Sequence, residues 1–404
     1  MNPSPFDSPT IGSGPEFPEP LLPPATLGVI GSGQLGRMFI QAAQRMGYRV
    51  GVLSATEDTP AAQVANWSVI GPPDHLPALR KMAERAEAIT VEFENVSAPA
   101  LRWLARRTLV RPGWLTVWVS QNRIREKSFL SSHAIPLAPW LPIRTAADAG
   151  AAAESLGLPF VLKTAASGYD GKGQIRVESE ADALPAWLRL GRVPCVAEGW
   201  VEFASEVSVV VARGQDGKAV AYPVGLNRHD RHILDSTMMP APVGPIVTQE
   251  AQRLAISIAQ ALNTVGVLTV EYFLKADGTL LVNEMAPRPH NSGHLTIEAA
   301  TSSQFEQQVR ALCGLPLGGT SLIQPAAMVN LLGDLWTGGE PDWAAAFRDD
   351  PGVKLHLYGK RTAAPGRKMG HLTVLDPDPE SALSRAIAAR RALVRGHLKA
   401  HSSS

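Results

Sequence analysis

Glu271 and Glu284 are the residues whose types and spacing most directly imply chemistry. They lie on two strand-like runs, Val267 to Lys275 and Thr279 to Met285, which flank the hairpin signal Asp277-Gly278. With those two residues as the loop, Ala276 faces Thr279, and counting outward sets Glu271 opposite Glu284. Directly opposed side chains stand about 4.5 to 5.5 Å apart at Cβ, where like charges repel. The neighbours Val267, Leu268, Phe273, Leu281 and Val282 imply a largely buried sheet, which makes two unpaired carboxylates costlier still. A cation between them removes the conflict. Oxygen-only ligands beside a phosphate site suit Mg2+, which takes one or two carboxylates and completes its shell with phosphates and water. The bland alternative is an exposed pair repelling weakly across a solvent-facing sheet. Strand alternation turns Asn283 to the other face unless a bulge intervenes.

The phosphate site is expected at Ser167-Gly168-Tyr169-Asp170-Gly171-Lys172-Gly173-Gln174. The segment is entered from Phe160-Val161-Leu162-Lys163 and left through Ile175-Arg176-Val177, so it reads as a hairpin tip. Its glycines let the backbone approach a ligand, and its N–H groups with Lys163 and Lys172 make a concave positive surface. It is not a Walker loop, because Gly173 follows Lys172 and a strand follows where a helix is needed. An ordinary mobile hairpin tip is the alternative.

Further polar groups fall at the ends of strand-like runs. Leu27 to Ile30, the turn Gly31-Ser32-Gly33-Gln34-Leu35-Gly36, a helix through Met46 and the run Tyr48 to Leu53 form a βαβ unit whose helix N-terminus attracts an anion. A dinucleotide needs an acid at the end of the second strand, but that strand ends in Ser54 with Glu57 and Asp58 displaced beyond it, which disfavours NAD without excluding it. Glu92 and Glu94 sit where the run Ala88 to Phe93 ends, either as substrate contacts at a strand end or as helix-terminus charges. Ala286 to His294 packs Arg288, His290, Asn291, Ser292 and His294 into one irregular segment. Pro289 and Gly293 make it a poor zinc helix, so it suits a small polar anion such as a carboxylate or bicarbonate. Lys360, Arg361, Arg367 and Lys368 form a second basic cluster around Pro365-Gly366.

The elements that must carry these residues call for two or three domains in a chain of 404 residues, and a hydrophobic content of 45% is enough to build their cores. Lys and Arg number 38 against 37 Asp and Glu, which argues against nucleic-acid or membrane-surface binding through bulk charge. Cys195 and Cys313 are isolated, so no disulfide framework or zinc cluster is expected, and a reducing cytoplasm is the simplest setting. No run is apolar enough to span a membrane. Residues 1–26 are Pro-rich, lack Lys and Arg, and read as a disordered extension.

Four motifs together resemble the N5-carboxyaminoimidazole ribonucleotide synthase family of ATP-grasp enzymes. They are Gly31 to Met38, Gly168 to Gln174, Asn283 to His294 and Pro365-Gly366-Arg367-Lys368-Met369-Gly370-His371. The resemblance implies a multidomain α/β and α+β protein: a Rossmann-like preATP-grasp domain over 27–120, an ATP-grasp domain with a glycine-loop lid over 121–325, and a small β-rich C-terminal domain over 326–404. It implies a homodimer and the conversion of 5-aminoimidazole ribonucleotide, bicarbonate and MgATP to the N5-carbamate, ADP and phosphate in purine biosynthesis. By position it assigns Arg123, Lys163, Gly168, Tyr169, Asp170, Gly171, Lys172, Gly173, Gln174, Glu198, Gly199, Trp200, Val201, Glu206, His229, Asn283 and Glu284 to ATP, and Glu271 with Glu284 to magnesium. It assigns Arg288, His290 and Asn291 to bicarbonate or carboxyphosphate, and Tyr169, Asp170 and Lys172 to the lid and the carboxylation step. Lys360 and Arg367, with Gln34 and Leu35, would grip the ribonucleotide phosphate, and Glu92 would touch the ribonucleotide. Lys172 and Ala364 stand where relatives often carry Arg, which alters two basic contacts.

Two other enzymatic readings remain at this level. A formate-dependent glycinamide ribonucleotide transformylase shares the ATP-grasp scaffold, and an NAD-dependent oxidoreductase would use Gly31, Gly33 and Gly36. A non-catalytic nucleotide sensor is the third alternative.

Overall fold

The computed structural model describes residues 19–166, 168 and 173–400. The first sheet is parallel, in the order β3-β2-β1-β4-β5, with β1 at Thr26–Ile30, β2 at Arg49–Ser54, β3 at Trp67–Ile70, β4 at Ala88–Val91 and β5 at Leu109–Val110. Its strands are almost wholly apolar because helices cover both faces. The turn after β1 needs glycine: Gly31 has φ 105°, and a Cβ there would collide with Glu92 and Phe93. Of the extension expected over 1–26, residues 19–25 belong to the folded unit. Leu21 is buried, its N–H donates to the Cys313 carbonyl at 2.8 Å, and its own carbonyl accepts the Tyr48 hydroxyl at 2.7 Å. Residues 1–18 lie outside the described residues.

The second sheet is antiparallel, in the order β6-β9-β7-β8: β6 at Trp140–Ile143, β7 at Phe160–Thr164, β8 at Gln174–Val177 and β9 at Cys195–Gly199. β7 and β8 pair with Lys163 opposite Gln174, so the strands that flank the glycine segment form the expected antiparallel pair. Ser167, Tyr169, Asp170, Gly171 and Lys172 lie outside the described residues.

The third sheet has nine strands. They are β10 (Ser205–Arg213), β11 (Ala219–Ala221), β12 (Gly225–Asp230), β13 (Ile233–Met239), β14 (Gly266–Leu274), β15 (Leu280–Ala286), β16 (Ala326–Leu332), β17 (Lys354–Leu357) and β18 (Lys368–Leu375). The path is β15-β14-β10-β12-β13-β16-β18-β17, with β11 paired to β10. The C-terminal strands thus extend the large sheet through the β13–β16 ladder, and Pro379–Ala400 packs as a long helix against β16 and β18. The apolar run Ala219 to Leu226 is divided between β11 and β12, with Pro223 unable to donate to the ladder between them. Helix Gln304–Cys313 ties the sheets together. Its Phe305, Val309 and Leu312 share a core with Met38 and Phe39 of helix Gln34–Arg45. Its Gln308 donates to Thr90 Oγ1 at 2.7 Å and accepts the Val267 N–H at 2.7 Å, joining β4 to β14. Among the described residues, no helix is long and apolar enough to cross a membrane.

Candidate functional site

Where the three sheets meet there is a cavity of about 340 Å³. Its wall takes Gly33, Gln34 and Leu35 from the glycine turn, Glu92 to Asn95 from the end of β4, and Arg123 and Glu126 from helix Arg123–Ser132. Gly168 comes from the hairpin tip, Glu271 and Glu284 from the β14–β15 hairpin, Arg288, His290, Asn291 and His294 from the loop after it, and Lys368 from β18. Strand ends and helix starts supply most of these groups, as expected of an α/β ligand crevice.

Glu271 does pair with Glu284, although the hairpin reaches that register differently from the sequence count. Lys275 donates to Thr279, leaving a three-residue loop with Gly278 at φ 87°, and Leu274 opposes Leu280. That shifts the ladder by one residue, and a bulge at Asn283 shifts it back. Glu284 meets Arg123 at 2.8 Å, and Arg123 holds its carboxyl down at about 2 against the opposing effect of burial. Glu271 meets His290 Nε2 at 3.0 Å. The Ser292 N–H donates to His290 Nδ1 at 3.3 Å, so that nitrogen carries no proton and Nε2–H donates to Glu271. Buried Gln304 fixes the His290 backbone, accepting its N–H at 2.9 Å and donating to its carbonyl at 2.7 Å. The two facing carboxylates make an oxygen donor pair that fits magnesium, and next to Glu284 the Asn283 Oδ1 is buried without a hydrogen-bond partner. Glu206 and His229 adjoin it: His229 Nδ1 lies 2.8 Å from Glu206, and donor atoms of Glu206, His229 and Glu271 fall within 4.8 Å of one another.

A second knot of charge lies behind the cavity. Glu198 is 3% exposed and shared by Lys163 at 3.1 Å and Lys127 at 3.3 Å. Burial raises its pKa, but Lys163, Lys127 and Arg123 outweigh that and hold it at about 2. Gly199 continues the β9 ladder, while Trp200 is exposed and stacks under Arg176 at 4.1 Å. Val201 follows it just beyond β9, and the Gly173 carbonyl accepts the Thr164 N–H at 2.8 Å.

At the glycine turn the helix N-terminus already holds an anion. Glu92 accepts the N–H of Gly36 at 2.7 Å and that of Gly33, and a dinucleotide phosphate would compete with this internal carboxylate. Burial pushes the Glu92 pKa up, opposed by the two N–H groups, Arg288 and Lys360. Gln34 and Leu35, the next two residues of the turn, face the cavity. Lys360 Nζ donates to the Lys368 carbonyl at 2.5 Å, and Arg367 is exposed with Nη1 donating to the Thr362 carbonyl at 2.8 Å. Lys368, not singled out from its basic cluster by sequence, is the one of these three on the cavity wall. Sequence reading also passed over Lys127 and Glu126, two charged residues buried on helix Arg123–Ser132. Glu126 is buried against the Met285 N–H at 3.2 Å, and burial lifts its pKa to about 8.

Three family models match in succession. Residues 24–121 match the ribonucleotide synthetase preATP-grasp domain, 128–305 the ATP-grasp domain, and 326–385 the phosphoribosylaminoimidazole carboxylase C-terminal domain. The N5-carboxyaminoimidazole ribonucleotide synthase of Bacillus subtilis is 42% identical over 365 residues, covering 89% of this chain and 94% of that protein. The chain belongs to the N5-carboxyaminoimidazole ribonucleotide synthase family. Among solved members, the Staphylococcus aureus enzyme complexed with ADP superposes with TM-score 0.85 at 37% identity, covering 92% of this chain and 98% of that one. The Aspergillus clavatus enzyme in complex with ADP and 5-aminoimidazole ribonucleotide superposes with TM-score 0.83 at 33% identity, covering 92% and 99%. The chain is therefore an ATP-grasp ligase, and the glycine turn belongs to its preATP-grasp domain rather than to a nicotinamide site.

Proposed function

We propose that the cavity carboxylates 5-aminoimidazole ribonucleotide on its exocyclic nitrogen with bicarbonate and ATP. The observation that carries this reading is the convergence of the facing Glu271 and Glu284, the Arg288-His290-Asn291 loop and the Gln34-Leu35 turn on one cavity. ATP lies between the second and third sheets, with Lys163, Gly168, Gly173 and Gln174 on its phosphates and Glu198 to Val201, Glu206 and His229 along the nucleoside. Arg123 meets the phosphates beside Glu284. Magnesium, held by Glu271 and Glu284 with Asn283 alongside, neutralises phosphate charge when bound. A bicarbonate oxygen attacks the γ-phosphorus and ADP leaves. Arg288, His290 and Asn291 hold the bicarbonate and the resulting carboxyphosphate, which breaks its C–O bond to give phosphate and carbon dioxide. The amine of the ribonucleotide then attacks carbon dioxide and loses a proton. Tyr169, Asp170, Gly171 and Lys172 close over the intermediates, which water would otherwise consume.

The ribonucleotide lies at the other end, its phosphate at Gln34 and Leu35 with Lys360, Arg367 and Lys368, and its ribose near Glu92. We place the enzyme in the cytoplasm as a homodimer, in keeping with two buried free cysteines and the family resemblance. A coupled ADP-release assay tests the reading. ADP release that requires both the aminoimidazole ribonucleotide and bicarbonate is expected, whereas turnover of glycinamide ribonucleotide with formate and without bicarbonate would overturn it.

A further inference from the structure

Arg288 does not enter the cavity alone. Its Nε donates to Glu94 Oε2 at 2.6 Å and its Nη2 to Glu94 Oε1 at 3.2 Å, a two-bond fork along one side of the guanidinium. The third contact is a long one, Nη1 to the Pro289 carbonyl at 3.3 Å. A guanidinium has two edges that can each grip a planar carboxylate, and Glu94 takes the Nε/Nη2 edge, which leaves the Nη1/Nη2 edge for another planar anion. Glu94 is itself held firmly. Its carbonyl accepts the Gln121 Nε2–H at 2.6 Å and the Val96 N–H at 2.8 Å, and its side chain lines the cavity with Arg288. The pair also crosses between domains, since Glu94 follows β4 of the first sheet and Arg288 follows β15 of the third. Burial pushes the Glu94 pKa up, but Arg288, with help from a backbone N–H, outweighs burial and the nearby Glu284 and draws it below the usual value.

We infer that Glu94 is a positioning residue for bicarbonate: by occupying one edge of Arg288 it fixes the other edge toward the bicarbonate oxygens. The inference rests on the assignment of Arg288 to bicarbonate. Glu94→Gln keeps the shape but loses the charge and one acceptor, so the KM for bicarbonate rises about tenfold while the KM for ATP stays unchanged. Glu94→Asp, which keeps the charge but withdraws the fork by one methylene, lies between, and serves in its place if Glu94→Gln fails to fold. Arg288→Lys has no second edge to fix, so adding Glu94→Gln to it leaves the bicarbonate KM where Arg288→Lys set it. An unchanged bicarbonate KM in the Glu94 variant, or the same fold-change in both backgrounds, would overturn the inference. An Arg288→Lys enzyme with an unchanged bicarbonate KM would instead overturn the assignment of Arg288, and the inference with it.

Discussion

The two ends of the cavity hold their acids in different ways. At the end proposed for the nucleotide, Glu284, Glu271 and Glu198 are met by side chains: Arg123, His290, Lys163 and Lys127. At the glycine turn, Glu92 is met by the backbone N–H groups of Gly33 and Gly36. Side-chain partners can rotate away, freeing the carboxylates for a metal and the Arg and Lys groups for a phosphate. Backbone N–H groups cannot, and would be left buried and unpaired if the carboxylate departed. The nucleotide end is therefore built for exchange of partners and the glycine end for a fixed scaffold.

Paired substitutions break that comparison open. Glu284→Gln should have the largest effect, a loss of magnesium-dependent ADP release of roughly a hundredfold or more with little change in unfolding midpoint. Glu92→Ala should differ in kind, because it strands two N–H groups. It is expected to cost about 1–3 kcal/mol in denaturant unfolding as well as ribonucleotide binding. Equal stability losses in the two variants would remove the distinction.

A smaller effect sharpens the same contrast within one helix and its neighbour. Glu126 has its carboxyl raised from 4.5 to about 8 in the folded chain. The folded state then binds an extra proton across that interval, so this group's contribution to stability is full below pH 4.5 and is lost as pH rises toward 8. Glu198 has the opposite sign: depressed to about 2, it contributes stability above 4.5 that is lost as pH falls toward 2. Glu126→Gln should flatten the stability profile on the neutral side, read as urea midpoints without magnesium, and should leave the acid limb intact.

Much of this was legible in the residues because local rules carried it. The turn that begins at Gly31 had to link a strand to a helix, and the apolar β-branched runs Phe160 to Lys163 and Ile175 to Val177 had to pair as strands. The Glu271–Glu284 pairing was reached through two compensating differences, a longer loop and a bulge at Asn283, neither of which strand alternation reveals. Lys127, Glu94 and Gln304 act across sequence separations of 71, 194 and 14 residues, distances over which periodicity says nothing. Lys368 was visible as one of four basic residues, and only the course of β18 singles it out as cavity-facing. Leu21 lay within a segment whose prolines suggested disorder, and its buried contacts with helix Gln304–Cys313 and Tyr48 reverse that for residues 19–25.

In the proposed mechanism a bicarbonate oxygen becomes bonded to the γ-phosphorus before the amine is carboxylated. Turnover with oxygen-18 bicarbonate and unlabelled ATP, followed by mass analysis of the phosphate released, tests it most directly. Cleavage of carboxyphosphate at its C–O bond leaves the bridging oxygen on phosphorus, so phosphate carrying one bicarbonate oxygen is predicted. Phosphate free of label, formed at the same rate as the N5-carbamate, would contradict the account.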